Sequence, residues 1–206
     1  MWVHQIKTPI AAMRLLLQEK SGEVDTAEEQ DELFRIEQYV EMALQYMRLD
    51  SESTDFLIKK VDIDTVIKEV VHKYARLFIR KKVKLQYNEI HTEVLTDEKW
   101  LAFVIEQLLS NAIKYSPGGN ISIYMPTEHE LVIEDNGIGI SPEDLPRVCE
   151  KGYTGYNGHV DKRSTGIGLY LCNRITKKLC HGLRMESEVG KGTKVYVSFP
   201  TEHEII

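Results

Sequence analysis

Long apolar runs are missing from this chain. No segment approaches the ~18–20 residues that a membrane-spanning helix needs, and no stretch has the make-up of a signal peptide. The chain is therefore expected to be soluble as it stands. Cysteine is scarce: Cys149, Cys172 and Cys180 are odd in number and show no CxxC spacing. Reduced thiols in a reducing cytoplasm explain them better than a disulfide or a zinc site, and Cys180-His181 alone is too little for a metal. A basic excess is absent as well. The net charge is −6, and residues 1–58 hold 5 Lys+Arg against 12 Asp+Glu (−7), leaving 21 against 20 (+1) in residues 59–206. That distribution argues against nucleic acid as a partner, since such binding shows as a basic patch. The acidity of the first segment reads as a solvated helix face. There is no internal repeat and no low-complexity tract.

What is present is enough for one core of ordinary size and a small extra module, in 206 residues with 42 % hydrophobic content. Ile6, Ile10, Met13 and Leu17 repeat as one face of a helix, with His4, Lys7, Ala11, Arg14 and Gln18 on a different, mostly polar face. Ser21-Gly22 breaks that helix. A second is expected from about Thr26 to Leu49, with Leu33, Ile36, Val40, Ala43, Leu44 and Met47 along one side. Two antiparallel helices cannot close a core alone, so pairing with a second copy into a four-helix bundle is the simplest solution. The boundaries expected are a helical hairpin over 1–55, a linker over 56–61 and an α/β domain over 62–206. In the latter, helices are expected near 62–80, 97–115 and 166–181, and strands near 83–88, 120–126, 130–135 and 193–199. The stretch from Ser141 to Thr165, with Pro142, Pro146, Gly152, Gly155 and Gly158, is long and glycine-rich enough to be a lid.

Three segments suit a nucleotide. On the helix around Glu106 to Tyr115, Leu101, Ile105, Leu108 and Ala112 make an apolar stripe, and Gln107, Asn111 and Lys114 a polar one turned by roughly a third of a circle, at ~100° per residue. An amide oxygen can ligate Mg²⁺ and an ammonium can neutralise phosphate, although Asn111 could equally be a plain surface residue. Asp135-Asn136-Gly137-Ile138-Gly139-Ile140 follows the apolar strand Leu131-Val132-Ile133. Glycine there lets backbone approach a flat base, and Asp135 could accept from an exocyclic amine, but an Asn-Gly turn alone is common. Ser164-Thr165-Gly166-Ile167-Gly168-Leu169 opens a helix whose amides suit an anion. Gly190-Lys191-Gly192-Thr193 adds a fourth glycine element, weak by itself.

Taken in order, Asn111 to Tyr115, Asp135 to Gly139, Gly166 to Leu169 and Gly190 to Thr193 resemble the N, G1, G2 and last glycine boxes of the sensor histidine kinases, and His4 to Pro9 resembles their phosphoacceptor box. The resemblance covers nearly the whole chain. The short first region and the lid sequence Lys151-Gly152-Tyr153-Thr154-Gly155 are similar to the bacitracin and antimicrobial-peptide-sensing subgroup. It implies an α+β protein: a two-helix hairpin forming a dimeric four-helix bundle, followed by a GHKL-type α/β sandwich. It also implies an ATP-dependent histidine autokinase that phosphorylates His4 and passes the phosphoryl group to the receiver domain of a response regulator. His4, Gln5, Lys7, Thr8, Asn111 and Lys114 would be the catalytic set. Gln107, Asn111, Lys114, Tyr115, Asp135, Gly137, Gly139, Ile140, Tyr153, Thr165, Gly166, Ile167, Gly168, Leu169 and Thr193 would hold ATP, with Asn111 on Mg²⁺. Further implied are a homodimer, no nucleic-acid partner, and a place on the cytoplasmic side of the membrane through a sensor region outside this chain. A first motif so near the chain start fits a fragment of something longer.

Two departures stand out. Glu or Asp often follows the family's histidine, whereas this chain has Gln5, which can fix the imidazole tautomer but cannot take its proton. A Gln5→Glu exchange is therefore expected to raise initial autophosphorylation. In the lid, an aromatic residue is usual at the place of Val148 or Cys149, so Tyr153 is expected to supply that contact and the lid to order with nucleotide. Rival readings remain. A GHKL-type ATP hydrolase would need a glutamate base where Gln107 stands. A catalytically weak ATP-binding dimerisation module would keep the boxes without the chemistry, and a serine-directed kinase would leave the His4 helix unexplained.

Overall fold

The computed structural model describes residues 26–50, 56–155 and 165–200, together with Ala12. These fall in two compact units, the first holding residues 26–50 and Thr165, the second residues 56–155 and 166–200.

The described part of the first unit is helix α1 (Thr26–Asp50). It buries Met42, Gln45 and Leu49, while Leu33, Val40, Leu44 and Met47 remain exposed, Met47 at 60 %. The stripe read from the sequence is thus not the face that a single chain covers. The helix expected ahead of it lies outside the described residues.

In the second unit the chain runs β1 (Lys59–Asp62), α2 (Ile63–Lys81), β2 (Lys84–Tyr87), β3 (Glu93–Thr96), α3 (Glu98–Tyr115), β4 (Asn120–Thr127), β5 (Glu130–Asp135), α4 (Gly168–Lys178), β6 (Gly182–Glu188) and β7 (Gly192–Ser198). Five strands form a mixed sheet in the order β2-β4-β5-β7-β6, and β1 pairs with β3 in a separate ribbon. Among the described strands only β2 and β4 run parallel; the other neighbours are antiparallel. Period-two alternation sends Ile121, Ile123, Leu131, Ile133, Val195 and Val197 to the buried face. Against them lies α3, which also packs on α2 and α4. The apolar stripe read on α3 is fully buried, and Trp100, Phe103, Val104, Leu109 and Ile113 are buried with it. A helix apolar nearly all round is a central one, and α3 is the spine of the unit.

Aspartates start both long helices. Asp62 accepts from the amide of Asp64, and Asp97 Oδ1 accepts from Lys99 and Trp100, satisfying amides that have no partner within the helix. A second oxygen of Asp97 receives the Leu57 amide at 2.8 Å, and Phe56 packs on Trp100 with ring centroids 5.4 Å apart. Residues expected as linker are therefore structured: Lys59–Asp62 is a strand. Strands β3 and β6 were likewise not expected. β1 and β3 are four residues each with no apolar–polar alternation in their residue types, and β6 carries Arg184, Glu186 and Glu188 on an exposed face at the sheet edge.

Candidate nucleotide site

The end of α3, the Asp135–Gly139 turn and the Gly190–Thr193 segment meet at one end of the sheet. The turn after β5 is clasped from two sides. On one side, Ile138 N donates to the carbonyl oxygen of Tyr115 at the end of α3 (3.1 Å), and a Cβ on Gly137 would lie 2.3 Å from that oxygen. On the other side, Ile138 O accepts from Gly190 N at 2.8 Å. Gly139 sits at φ +70°, with a hypothetical Cβ only 2.1 Å from the Glu188 carbonyl oxygen. A side chain there would be both strained and in collision, so glycine is a packing requirement of the turn. Asn136 closes the third side: its Oδ1 accepts the Asn120 amide at 2.6 Å. The C-terminal end of α3, the β5 turn and the β6–β7 hairpin are thus one assembly.

Asp135 is the buried acid of that assembly, 9 % exposed at the end of β5. Its Oδ1 accepts from Gly137 N at 2.8 Å. Burial pushes the carboxyl above the ordinary carboxylate range, while the amides of Gly137 and Thr193 pull the other way. A carboxylate has about four acceptor positions, so two amides leave room for a ligand N–H. Across the sheet, Asp135 is paired with Thr193, and Thr193 with Ser187. Ser187 Oγ lies 2.8 Å from Thr193 Oγ1 and accepts from Ile140 N at 2.8 Å.

On α3, Asn111 and Lys114 are half-buried, and Gln107 is buried at 6 %. Lys114 Nζ lies 4.8 Å from the centre of the Tyr115 ring. No cluster of three His, Cys, Asp or Glu side chains suited to a metal occurs among the described residues. A cation here would need an amide oxygen such as that of Asn111 together with ligand oxygens, as Mg²⁺ bound with a triphosphate does.

The lid candidate is described as far as Gly155. A 3₁₀ turn spans Leu145–Arg147. Tyr153 donates to Asp144 and lies under the Arg147 guanidinium at 4.2 Å, so within this segment its partners are lid residues. At the far end of the lid, Gly152 N donates to Gly166 O at 2.8 Å, and a Cβ on Gly166 would meet the Gly152 carbonyl carbon at 2.4 Å. Ile167, Gly168 and Leu169 lead into α4, whose start carries no side-chain cap hydrogen bond. Thr165 is buried and falls with the first unit. His4, Gln5, Lys7 and Thr8 lie outside the described residues.

Sequence reading missed Ser187 altogether. Its signal is its pairing with Thr193 across the β6–β7 hairpin, which is invisible until β6 is known to be a strand. It considered His181 only as a metal ligand and gave it no structural place; it is buried at the other end of the sheet with Nε2 2.8 Å from Thr96 Oγ1 and its ring edge-on to Phe199, centroids 5.1 Å apart.

Residues 96–203 match the family described as histidine kinase-, DNA gyrase B- and HSP90-like ATPases. The chain is 35 % identical over 208 residues to the sensor protein BceS of Halalkalibacterium halodurans, covering 100 % of this chain and 62 % of that protein. It is 37 % identical over 208 residues to the sensor histidine kinase YxdK of Bacillus subtilis, covering 98 % and 63 %. This chain thus spans about three fifths of the length of these curated relatives. Among solved structures, the Acinetobacter baumannii histidine kinase AdeS superposes with a TM-score of 0.64 at 22 % identity, over 96 % of this chain and 98 % of that one. At that identity the likeness speaks for the fold.

Proposed function

The chain belongs to the histidine kinase-, DNA gyrase B- and HSP90-like ATPase family, on its sensor histidine kinase branch, and from that premise we propose that it is an ATP-dependent autokinase. In this reading His4 attacks the γ-phosphorus of ATP as the bond to the β–γ bridging oxygen breaks and ADP leaves, and the phosphoryl group then passes from the histidine to an aspartate of a response-regulator receiver domain. The observation that carries it is the clasped turn: Asp135, buried and fed by amides, at the foot of a helix that presents Asn111 and Lys114. Asp135 reads the exocyclic amine of adenine. Lys114 neutralises phosphate, and Asn111 holds Mg²⁺, which when bound spreads the charge of the triphosphate. Gln107, Tyr115, Ile140 and Thr193 line the base and ribose. Gly166 to Leu169 bring amides at the start of α4 toward the phosphates, and Tyr153 and Thr165 bound the lid. Little covalent chemistry is left to the protein; positioning and charge neutralisation do most of it.

The exposed stripe Leu33, Val40, Leu44 and Met47 on α1 supports a homodimer in which a second copy covers it, with residues 1–55 as the dimerisation and phosphotransfer module. The relatives, which are longer than this chain, support a bacitracin-type sensor, and a place at the membrane through a region outside this chain is part of the same proposal. No described helix is long and apolar enough to cross one.

The test is incubation with γ-labelled ATP and Mg²⁺, using wild type and His4→Ala. Acid-labile, alkali-stable label that vanishes in the variant is the expected result. Labelled protein that survives in His4→Ala rules the assignment out. Free phosphate without labelled protein points instead to an ATP hydrolase, against which buried Gln107 already weighs, since an amide is no base.

A further inference from the structure

Three side chains stand side by side across three strands at the nucleotide end. Asp135 on β5 is in register with Thr193 on β7, and Thr193 with Ser187 on β6. Alternation puts all three on the face that bears the helices, because Glu134, Lys194 and Glu186 alternate with them on the other side, where Lys194 pairs with Glu134.

Ser187 is the saturated member of the row. Its Oγ lies 2.9 Å from Gly192 O, 2.8 Å from Ile140 N and 2.8 Å from Thr193 Oγ1. A hydroxyl has one hydrogen and two lone pairs. The Gly192 carbonyl can only accept and the Ile140 amide can only donate. All three contacts are satisfied together when Ser187 donates to Gly192, accepts from Ile140, and accepts from Thr193 on its second lone pair. The Thr193 hydroxyl hydrogen is then committed to Ser187. Toward a ligand, Thr193 offers lone pairs alone, beside a carboxylate that also offers lone pairs alone.

We propose that Ser187 is the positioning residue for base choice: by holding Thr193 as an acceptor next to Asp135, it makes this end of the site accept an exocyclic amine and reject a ring carbonyl. The inference rests on the nucleotide reading above and assigns to it a residue that never touches the base. An adenine amino group meets two acceptors. The oxygen of guanine at the same place meets two acceptors too, and none of the three can hydrogen-bond. Without Ser187 the Thr193 hydroxyl turns freely and can donate to that oxygen, so the discrimination fades. The Ile140 amide loses its partner at the same time, which loosens the turn that carries Gly137 and Gly139.

The experiment measures binding of ADP and GDP with Mg²⁺ by calorimetry to wild type, Ser187→Ala and Ser187→Thr, with melting temperature recorded for each. Ser187→Ala is expected to bind ADP about tenfold more weakly and to narrow the ADP-over-GDP preference by about tenfold, one hydrogen bond in each case. Ser187→Thr, which keeps the hydroxyl, is expected to restore the preference. Wild-type preference in a folded Ser187→Ala overturns the proposal, including where the melting temperature falls, because a merely structural serine would change stability without changing base choice. A wild type that binds neither nucleotide overturns the nucleotide reading itself. A wild type that binds ADP with no help from Ser187 overturns this inference alone.

Discussion

The two ends of the sheet each bury a titratable side chain and treat it in opposite ways. At one end Asp135 accepts from the backbone amides of Gly137 and Thr193 and keeps acceptor capacity to spare. At the other end His181 is sealed. Nε2 is paired with the fully buried Thr96, and Nδ1 makes no hydrogen bond of good geometry, lying only near the Cys180 backbone. Burial pushes its pKa down to about 4. Asp135 is held ready for a further partner, whereas His181 is held neutral with nowhere to put a proton. Burial of an ionisable group does not by itself mark a site. What marks one is burial together with spare hydrogen-bonding capacity that opens toward solvent.

The strongest way to break this contrast is at the nucleotide end. Gly139→Ala places a Cβ in a left-handed backbone against the Glu188 carbonyl. Strain and displacement together cost about 3 kcal/mol. If the clasped turn is the binding site, calorimetry should show ADP affinity falling by about 100-fold. An unchanged affinity would detach the turn from nucleotide binding.

The far end is tested by pH. Above pH 6.5 the imidazole is neutral in both states. Between pH 6.5 and about 4 the unfolded chain takes up a proton that the folded chain refuses, so stability is lost as pH falls through that window. From pH 7 to pH 4 the loss attributable to His181 is about 3 kcal/mol. Urea midpoints of wild type and His181→Asn across that range should diverge in slope, with the variant flatter. Parallel curves would show that His181 is not held neutral.

The two ends were also unequally legible. The nucleotide end announced itself because glycines and polar residues punctuate apolar strands, and each interruption has a local cause: Gly139 must clear Glu188, and Asp135 closes the strand that carries Leu131-Val132-Ile133. The long helices were legible through their apolar spacing, while their Asp62 and Asp97 caps emerged only with the structure. The short strands were not, since Lys59–Asp62 and Glu93–Thr96 owe their shape to each other rather than to an alternation of their own. Nor was the buried face of α1, where Met42 and Leu49 turned inward and the longer stripe stayed out. His181 and Ser187 shared one obstacle. Both act through partners distant in sequence, Thr96 for one and Ile140 for the other, and no local pattern records such a pairing.

The smallest effect separates left-handed backbone that the site requires from left-handed backbone that the fold merely tolerates. Cys180, just before His181, has φ +57°, and it is exposed. Its amide donates to Lys177 O at 3.2 Å, turning the chain out of α4. A side chain in that conformation costs roughly 1–2 kcal/mol, which Cys180→Gly removes. The same exchange gives the unfolded chain more freedom, at a cost of about 0.4–1 kcal/mol. The two terms oppose, and the first is larger, so the variant should gain about 0.5 kcal/mol in urea unfolding with ADP affinity unchanged. Gly139→Ala and Cys180→Gly thus exchange the same two kinds of residue in opposite directions at opposite ends of one sheet. A change in ADP affinity on Cys180→Gly would mean that the far end is coupled to the site and that the contrast between the two ends is false.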